Sequence, residues 1–377
     1  MAVGIICEYN PFHNGHLYHI NRIKEMYPDE LIVLVMSGNF TQRGDISIIE
    51  KYDKADIALT YGVDLVVELP FFFATQSADI FAKGSVELLN HLKCNKIVFG
   101  SESNNIDELT MLANIQINDD DYNIKVKEEL DKGNNYPTAM SNALRNISFN
   151  TVNTPNDLLA LSYVKEIVKN GYRIEAVSIK RTNDYHDIET KDIISSATSI
   201  RKAILDNKNI NDYVPKYSLK FIQKDDFNKK YFDLLKYKII SEGISIRNYY
   251  TVDEGIENRI LKNINSCSNL EELIQKTKSK RYTYSKLKRM FIHILCSFTK
   301  EERMKKDDVD YIKILGFNQL GKEYLNEIKK DTNIPIITNI NKNNIKLLEQ
   351  ELKCDQIYNI LTNRNDNLFG KKPIIKP

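Results

Sequence analysis

The sequence has no apolar run long enough to cross a membrane, no pair of cysteines at metal-ligand spacing and no HExxH motif. Each absence removes a class of protein. A spanning helix needs about 18 or more nearly uninterrupted apolar residues, and no window reaches that length. The start, MAVGIICEYNPFHNGH, lacks a basic leader, and its short apolar run soon meets Glu8, so a strand is expected there rather than a signal peptide. The cysteines (Cys7, Cys94, Cys267, Cys296 and Cys354) are odd in number, and no two stand in a CxxC. Without a secretory signal, that pattern fits reduced thiols in a cytoplasmic protein. Cys7 itself reads as a small buried core residue. Internal repeats and long low-complexity segments are also missing. Nor does one charge dominate: 53 Lys and Arg face 51 Asp and Glu, a net charge of +2 that neither demands nor excludes nucleic acid.

What is present is an alternation. Four short apolar runs, VGIIC (3–7), LIVLVMS (31–37), VDLVVELP (63–70) and KIVFGS (96–101), read as strands buried on both faces. Helical patterns lie between them, from about His16 onward, over 49–61 and over 78–92. This spacing predicts an α/β fold with a parallel, Rossmann-like sheet and right-handed crossovers, in which ligands bind beyond the carboxyl ends of the strands. Residues 105–150 are polar and rich in Asn and Asp, and read as a partly helical insertion or lid. The alternation resumes with a helix over 156–170, a strand in RIEAVSIKR (173–181) and a helix over 195–206. The 377 residues divide into a catalytic domain over 1–210 and a mostly helical region over 211–377. Within the latter, YIKILGF and IPIITNI suggest a small α/β subdomain over 310–377.

The first strand leads directly into EYNPFHNGHLYHI, which contains an HxGH at His13-Asn14-Gly15-His16. A strand, a turn and a helix start make a phosphate site, because the helix N-terminus offers unpaired N–H groups and a positive dipole end. Gly15 permits close approach, and His13 and His16, three apart, share one face. Two imidazole N–H donors there can stabilise charge on an α-phosphate during in-line attack. The alternative is that both are ordinary turn and cap residues. A zinc site from His13, His16 and His19 lacks a Cys or carboxylate partner at suitable spacing.

A second anion site is suggested by Ser195-Ser196-Ala197-Thr198-Ser199-Ile200-Arg201 at a helix start. Alone, it is equally an N-capped helix with a surface Arg. Together with HxGH it forms a two-point clamp for a triphosphate. The pair resembles the HIGH-type nucleotidyltransferases and class I aminoacyl-tRNA synthetases. The longer strings GIICEYNPFHNGHLYHI, VMSGNFTQRG, DLVVELPF, ADIFAKGSV, FGSE, TPNDLLALSY, DYHD and SSATSIRKA resemble the tRNA(Met) cytidine acetate ligase family, and KRYTYSKLKRM and YIKILGFNQLG extend the likeness to about residue 321.

That resemblance implies a HIGH-type nucleotidyltransferase fold and an enzyme that forms acetyl-adenylate from acetate and ATP. The acetyl group then passes to N4 of the wobble cytidine of elongator tRNA(Met). It implies an ATP site over Cys7, Glu8, Tyr9, Asn10, Pro11, Phe12, His13, Asn14, Gly15, His16, Leu17, Tyr18, His19 and Ile20, with Gly100, Asn156, Arg181, Ser196 and Thr198. His13 and His16 would stabilise the attacked α-phosphate. Arg201, with Ser195, Ser196 and Thr198, would hold the departing pyrophosphate. Where relatives often carry a second Asn after the Pro-Asn, this chain has Asp157. Gly38, Gln42 and Arg43 stand in the loop after strand two. Asp184, His186 and Asp187 either orient one another or form a polar turn. Mg²⁺ is expected from triphosphate chemistry. No stable protein partner is implied.

Residues 276–289, KTKSKRYTYSKLKR, hold seven Lys or Arg in fourteen positions and no acid. They read either as a tRNA-binding basic helix or arm, with Lys280, Arg281, Lys288 and Arg289 on phosphates and Tyr282 and Tyr284 on bases, or as a solvated lysine-rich face. Two other functions account for part of the pattern. A small-molecule nucleotidyltransferase explains the two motifs but not the long basic C-terminal region. A non-catalytic RNA-binding protein predicts decayed motifs, yet both histidines and Arg201 are intact.

Overall fold

The computed structural model describes residues 1–148, 152, 154–181, 194–223 and 226–377. Its strands are β1 (Ala2–Cys7), β2 (Leu31–Ser37), β3 (Leu65–Leu69), β4 (Lys96–Ser101), β5 (Glu175–Lys180), β6 (Ile312–Phe317), β7 (Ile336–Ile337) and β8 (Ile374–Ile375). They form one sheet in the order β5-β4-β1-β2-β3-β6-β7, with β8 also paired to β6. The five N-terminal strands run parallel. The helices that bear on the site are α1 (Asn14–Met26), α2 (Lys51–Thr60), α3 (Ala78–His91), α4 (Pro155–Asn170), α5 (Ala197–Leu205), α6 (Tyr284–Leu295) and α7 (Glu349–Leu361).

The apolar runs become strands because both faces of the sheet are covered. Along β2, Val33 and Val35 enter one core with Leu65 and Val67. Ile32, Leu34 and Met36 enter the other with Val3, Ile5 and Val66. This is the two-residue alternation of a strand with apolar neighbours on each side. β1 lies between β2 and β4, so the chain leaves it in one direction while the later strands add on the other side. The loops after β1 and β4 therefore diverge at their carboxyl ends, the edge at which ligands bind in sheets of this kind.

Residues 105–148 form three helices, Ile106–Asn118, Asp120–Asp131 and Tyr136–Ser148. The first packs along α4 and buries Leu109, Leu112 and Ala113. The Asn and Asp that make this stretch look loop-like act as caps: the Asn105 side chain accepts from Glu108 N–H, and that of Asp119 from Tyr122 N–H. Residues 216–305 contain no named strand among the described residues.

The 310–377 end differs from the expected small α/β unit. β6 pairs antiparallel with β3 and extends the N-terminal sheet, and IPIITNI contributes only the two-residue β7. A buried cluster of four charges spans this pairing. Lys51 Nζ on α2 lies 2.8 Å from Glu68 Oε1 on β3 and 2.5 Å from Asp355 Oδ2 on α7. Lys313, directly opposite Glu68 in the strand register, lies 2.9 Å from Glu68 Oε2. Burial opposes charge on Lys51, but Asp355 and Glu68 more than offset it and raise its pKa. Burial likewise opposes charge on Glu68, yet Lys313 and Lys51 hold it at about 2. Two cations and two carboxylates balance, so the cluster is tolerated only when complete.

The Asp355→Ala variant is therefore expected to lose about 3–5 kcal/mol of stability, because it leaves two buried ammonium groups facing one carboxylate. Urea unfolding of the full chain measures this.

Candidate active site

The HxGH closes a reciprocal cap at the start of α1. His13 is the N-cap, and its Nδ1 accepts from Gly15 N–H at 3.1 Å. His16 Nδ1 accepts from His13 N–H at 3.2 Å. The two rings stack with centroids 3.8 Å apart, and the Tyr9 ring lies 4.6 Å from that of His16. A neutral imidazole carries one proton. Since both Nδ1 atoms accept, each ring carries its proton on Nε2 and presents it as a donor. Burial, aided by the Arg181 guanidinium, lowers His13 and His19 to about 4. Burial, with His13, His19 and Arg181, lowers His16 well below the usual histidine range. At neutral pH the pair is thus uncharged.

Gly15 is needed for the His13 ring itself, since a Cβ there would lie 2.9 Å from His13 Cε1. Asn14 is a structural anchor, donating from Nδ2 to Asp212 O at 2.9 Å. Tyr9, Phe12 and Ile20 lie in the core beneath the motif, with Leu17 packed against it. His19 Nε2 is buried with no hydrogen-bond partner among the described residues. Burial pushes the Cys7 thiol up to about 12, which makes it a poor nucleophile.

Gly100, near the end of β4, leaves room for the Arg181 side chain: a Cβ there would stand 3.1 Å from Arg181 Cγ. Beside it, Asn156 Nδ2 donates to Glu102 Oε1 at 2.5 Å. Asp157 accepts from Ser101 Oγ and from the N–H groups of Glu102 and Ser103. Burial opposes ionisation of Asp157, but these bonds outweigh it and hold its carboxyl below the usual range. An Asn here would set an NH₂ donor against one of those donors. The departure at Asp157 is therefore matched to its surroundings.

Ser196 caps α5, accepting from Ser199 N–H at 3.1 Å. Arg201 donates from Nη1 to Asn10 O at 2.6 Å, and from Nη2 to Asp45 Oδ2 at 3.1 Å and to Thr198 Oγ1 at 3.4 Å. This joins the second motif to the loop that carries the first. The loop after β2 is pinned by Lys54, whose fully buried ammonium donates to Glu8 O, Ser37 O and Gly38 O. Gln42 N–H donates to Glu8 Oε1. Arg43 is exposed.

The basic stretch is not one element. A short turn separates the helix Leu270–Thr277 from α6. Lys280 and Arg281 are exposed on that turn. Lys288 pairs with Asp45, and Arg289 donates to Gln42 O at 3.2 Å, so both face the loop after β2. Tyr282, expected to stack on bases, is buried and donates to Asp253 O, whereas Tyr284 stays partly exposed. Asp45 and Lys54, which sequence reasoning missed, carry no motif signal of their own. Asp184, His186 and Asp187 lie outside the described residues.

Against this geometry, the sequence signature of the HIGH Nucleotidyl Transferase family matches residues 1–372. A tRNA(Met) cytidine acetate ligase of Fusobacterium nucleatum is 40% identical, over 95% of this chain and 95% of its own. One of Thermoanaerobacter sp. is 38% identical over 99% of both. The chain belongs to the tRNA(Met) cytidine acetate ligase family. Among solved structures, apo TmcAL of Thermotoga maritima matches with a TM-score of 0.89 at 30% identity, covering 100% of this chain and 99% of that one. A second crystal form of that enzyme, bound with alpha-thio ATP, matches with a TM-score of 0.88. Membership over nearly the full length accounts for the C-terminal region that a small-molecule nucleotidyltransferase left unexplained. No described helix is long and apolar enough to cross a membrane.

The lowered histidines make stability depend on acidity. In the unfolded chain His13 and His19 titrate near 6.5, but folded they stay neutral to about 4. Below pH 6.5 the unfolded state therefore binds more protons, and stability falls until about pH 4, where the effect levels off. His293, lowered by burial to about 3, adds to this slope. Urea titrations between pH 7 and 4.5 are expected to show a shallower acid loss for His13→Asn, by up to one proton.

Proposed function

We propose that this chain is an ATP-dependent acetate ligase that forms N4-acetylcytidine at the wobble position of elongator tRNA(Met). The observation that carries the reading is that the loop after β1 and the start of α1 hold two neutral Nε2–H donors, His13 and His16, with Arg181 electrostatically coupled to them and Arg201 bonded to the same loop. An acetate oxygen attacks the α-phosphorus. The bond to the β-bridging oxygen breaks, and pyrophosphate leaves with the electron pair. His13 and His16 donate to the α-phosphate oxygens as charge builds there, and Arg201, with Ser195, Ser196 and Thr198 at the α5 start, receives the pyrophosphate. Neutral rings suit this role, because they donate hydrogen bonds without trapping the product as a salt.

In the second step N4 of cytidine attacks the acyl carbon of acetyl-adenylate. The bond to AMP breaks, and N4 loses a proton as it acylates, so a strong base is unnecessary. Burial raises the Cys7 thiol pKa, which argues against a thioester relay through that residue.

The ATP site comprises the segment Cys7–Ile20 with Gly100, Asn156, Arg181, Ser196 and Thr198. Mg²⁺ is expected to travel with the triphosphate, bound chiefly through its phosphate oxygens. For tRNA, the exposed Lys280 and Arg281 line a cleft with Gly133 of the insertion and Arg259, and Arg281, paired there with Glu254 at 3.0 Å, would exchange that carboxylate for a backbone phosphate. A protein of this kind works in the cytoplasm, where its tRNA is.

The test is incubation with ATP, ¹⁴C-acetate and unmodified elongator tRNA(Met). Label is expected in the RNA with the native chain and is expected to fall at least about 100-fold with His16→Ala. Label in neither would refute the reading. Charge reversal at both Lys280 and Arg281 is expected to weaken tRNA binding about tenfold and to flatten its salt dependence, read by filter binding over a salt series.

A further inference from the structure

Asp45 stands between two cations that are far apart in sequence. Its Oδ2 accepts from Arg201 on α5 at 3.1 Å, and its Oδ1 accepts from Lys288 on α6. The three side chains are only 16–20% exposed, so this is no loose surface pair. The turn that presents Asp45 is rigidly built. Thr41 N–H donates to Asp45 O at 3.0 Å, and Asp45 N–H donates to Thr41 Oγ1 at 3.1 Å. Phe40 and Ile46 bridge across its base. Gly44 has φ +75°, and a Cβ there would meet the backbone N of Arg289 at 2.6 Å. Only glycine lets the turn lie flat against α6 in that conformation.

From this arrangement we infer that Asp45 and Lys288 are positioning residues for Arg201 in adenylate formation, an inference that rests on the ligase reading above. Arg201 uses three donor hydrogens on Asn10, Asp45 and Thr198. That leaves Nε–H and one Nη1–H for pyrophosphate. Asp45 fixes the guanidinium plane. Lys288 occupies the other carboxylate oxygen, which prevents Asp45 from taking Arg201 in a bidentate grip. The three groups also sum to one positive charge. Without Lys288, Arg201 and Asp45 would form a neutral pair that attracts a polyphosphate poorly. Part of the basic stretch thus serves the ATP half-reaction rather than contacting RNA phosphates.

The experiment uses the full chain without tRNA. Acetate-dependent ATP–pyrophosphate exchange and the affinity for a fluorescent ATP analogue are measured for wild type, Lys288→Met, Asp45→Asn, their double variant and Lys288→Arg. Lys288→Met and Asp45→Asn are expected to raise the KM for ATP and for pyrophosphate roughly tenfold, with kcat changed less than about twofold. Lys288→Arg is expected to restore most of the loss. The double variant is expected to be no worse than Asp45→Asn, because both act through Arg201. Unchanged KM values, with only acetyl transfer to tRNA impaired, would overturn the inference and return Lys288 to RNA contact. Lower kcat at unchanged KM would also overturn it, as the mark of lost folded enzyme. Absence of exchange in wild type would defeat the ligase reading, and analogue affinity would still decide the positioning role: equal affinities reject it, a roughly tenfold loss supports it.

Discussion

The buried quartet of Lys51, Glu68, Lys313 and Asp355 is the interaction on which the arrangement of this chain depends. It joins α2, β3, β6 and α7, elements drawn from both ends of the sequence. Desolvating four charges is costly, and the cost is offset only in the assembled state. The cluster therefore ties formation of the catalytic sheet to docking of the last 65 or so residues. It reaches the site directly. Asp355 also accepts from Asn39 Nδ2, Asn39 Oδ1 accepts from Lys51 N–H, and Tyr358 on α7 donates to Ser47 O. The loop after β2 is thus held at both ends by the C-terminal helix.

From that loop the order passes to the chemistry. Lys54 fastens it to the end of β1, Asp45 at its tip meets Arg201, and Arg201 returns to Asn10 just before the HxGH. These groups consequently set one another's positions. The histidines are neutral because they are buried close to Arg181. Under the proposed function, a site built this way separates two tasks: neutral donors would stabilise the α-phosphate in passing, and guanidinium groups would take the product pyrophosphate.

Much of this was legible in sequence, for local reasons. Parallel strands covered on both faces must be apolar runs, so β1 to β4 announced themselves, while β5, a half-exposed edge strand, was read from its place in the alternation. HxGH depends on neighbours three residues apart, and its strand–turn–helix setting could be read directly. The insertion was harder, because its caps, Asn105 and Asp119, are the residue types that also make loops. What escaped was long-range. The quartet joins residues up to 304 positions apart, and Asp45 and Lys288 are 243 apart. Ion pairs of that kind leave no periodicity. The run KTKSKRYTYSKLKR left its roles open for a related reason: charge density said nothing about which cations face solvent, and α6 turns Lys288 and Arg289 inward while the preceding turn exposes Lys280 and Arg281. Tyr282 shows the same limit, an aromatic among lysines that serves the core.

The central claim is that His13 and His16 are neutral, paired Nε2–H donors, and ¹⁵N NMR of the histidine ring nitrogens tests it most directly. With single His→Gln variants to assign the signals, both residues are predicted at pH 7 to show an unprotonated Nδ1 and a protonated Nε2. A spectrum with either ring as the Nδ1–H tautomer, or as imidazolium at neutral pH, would contradict the account.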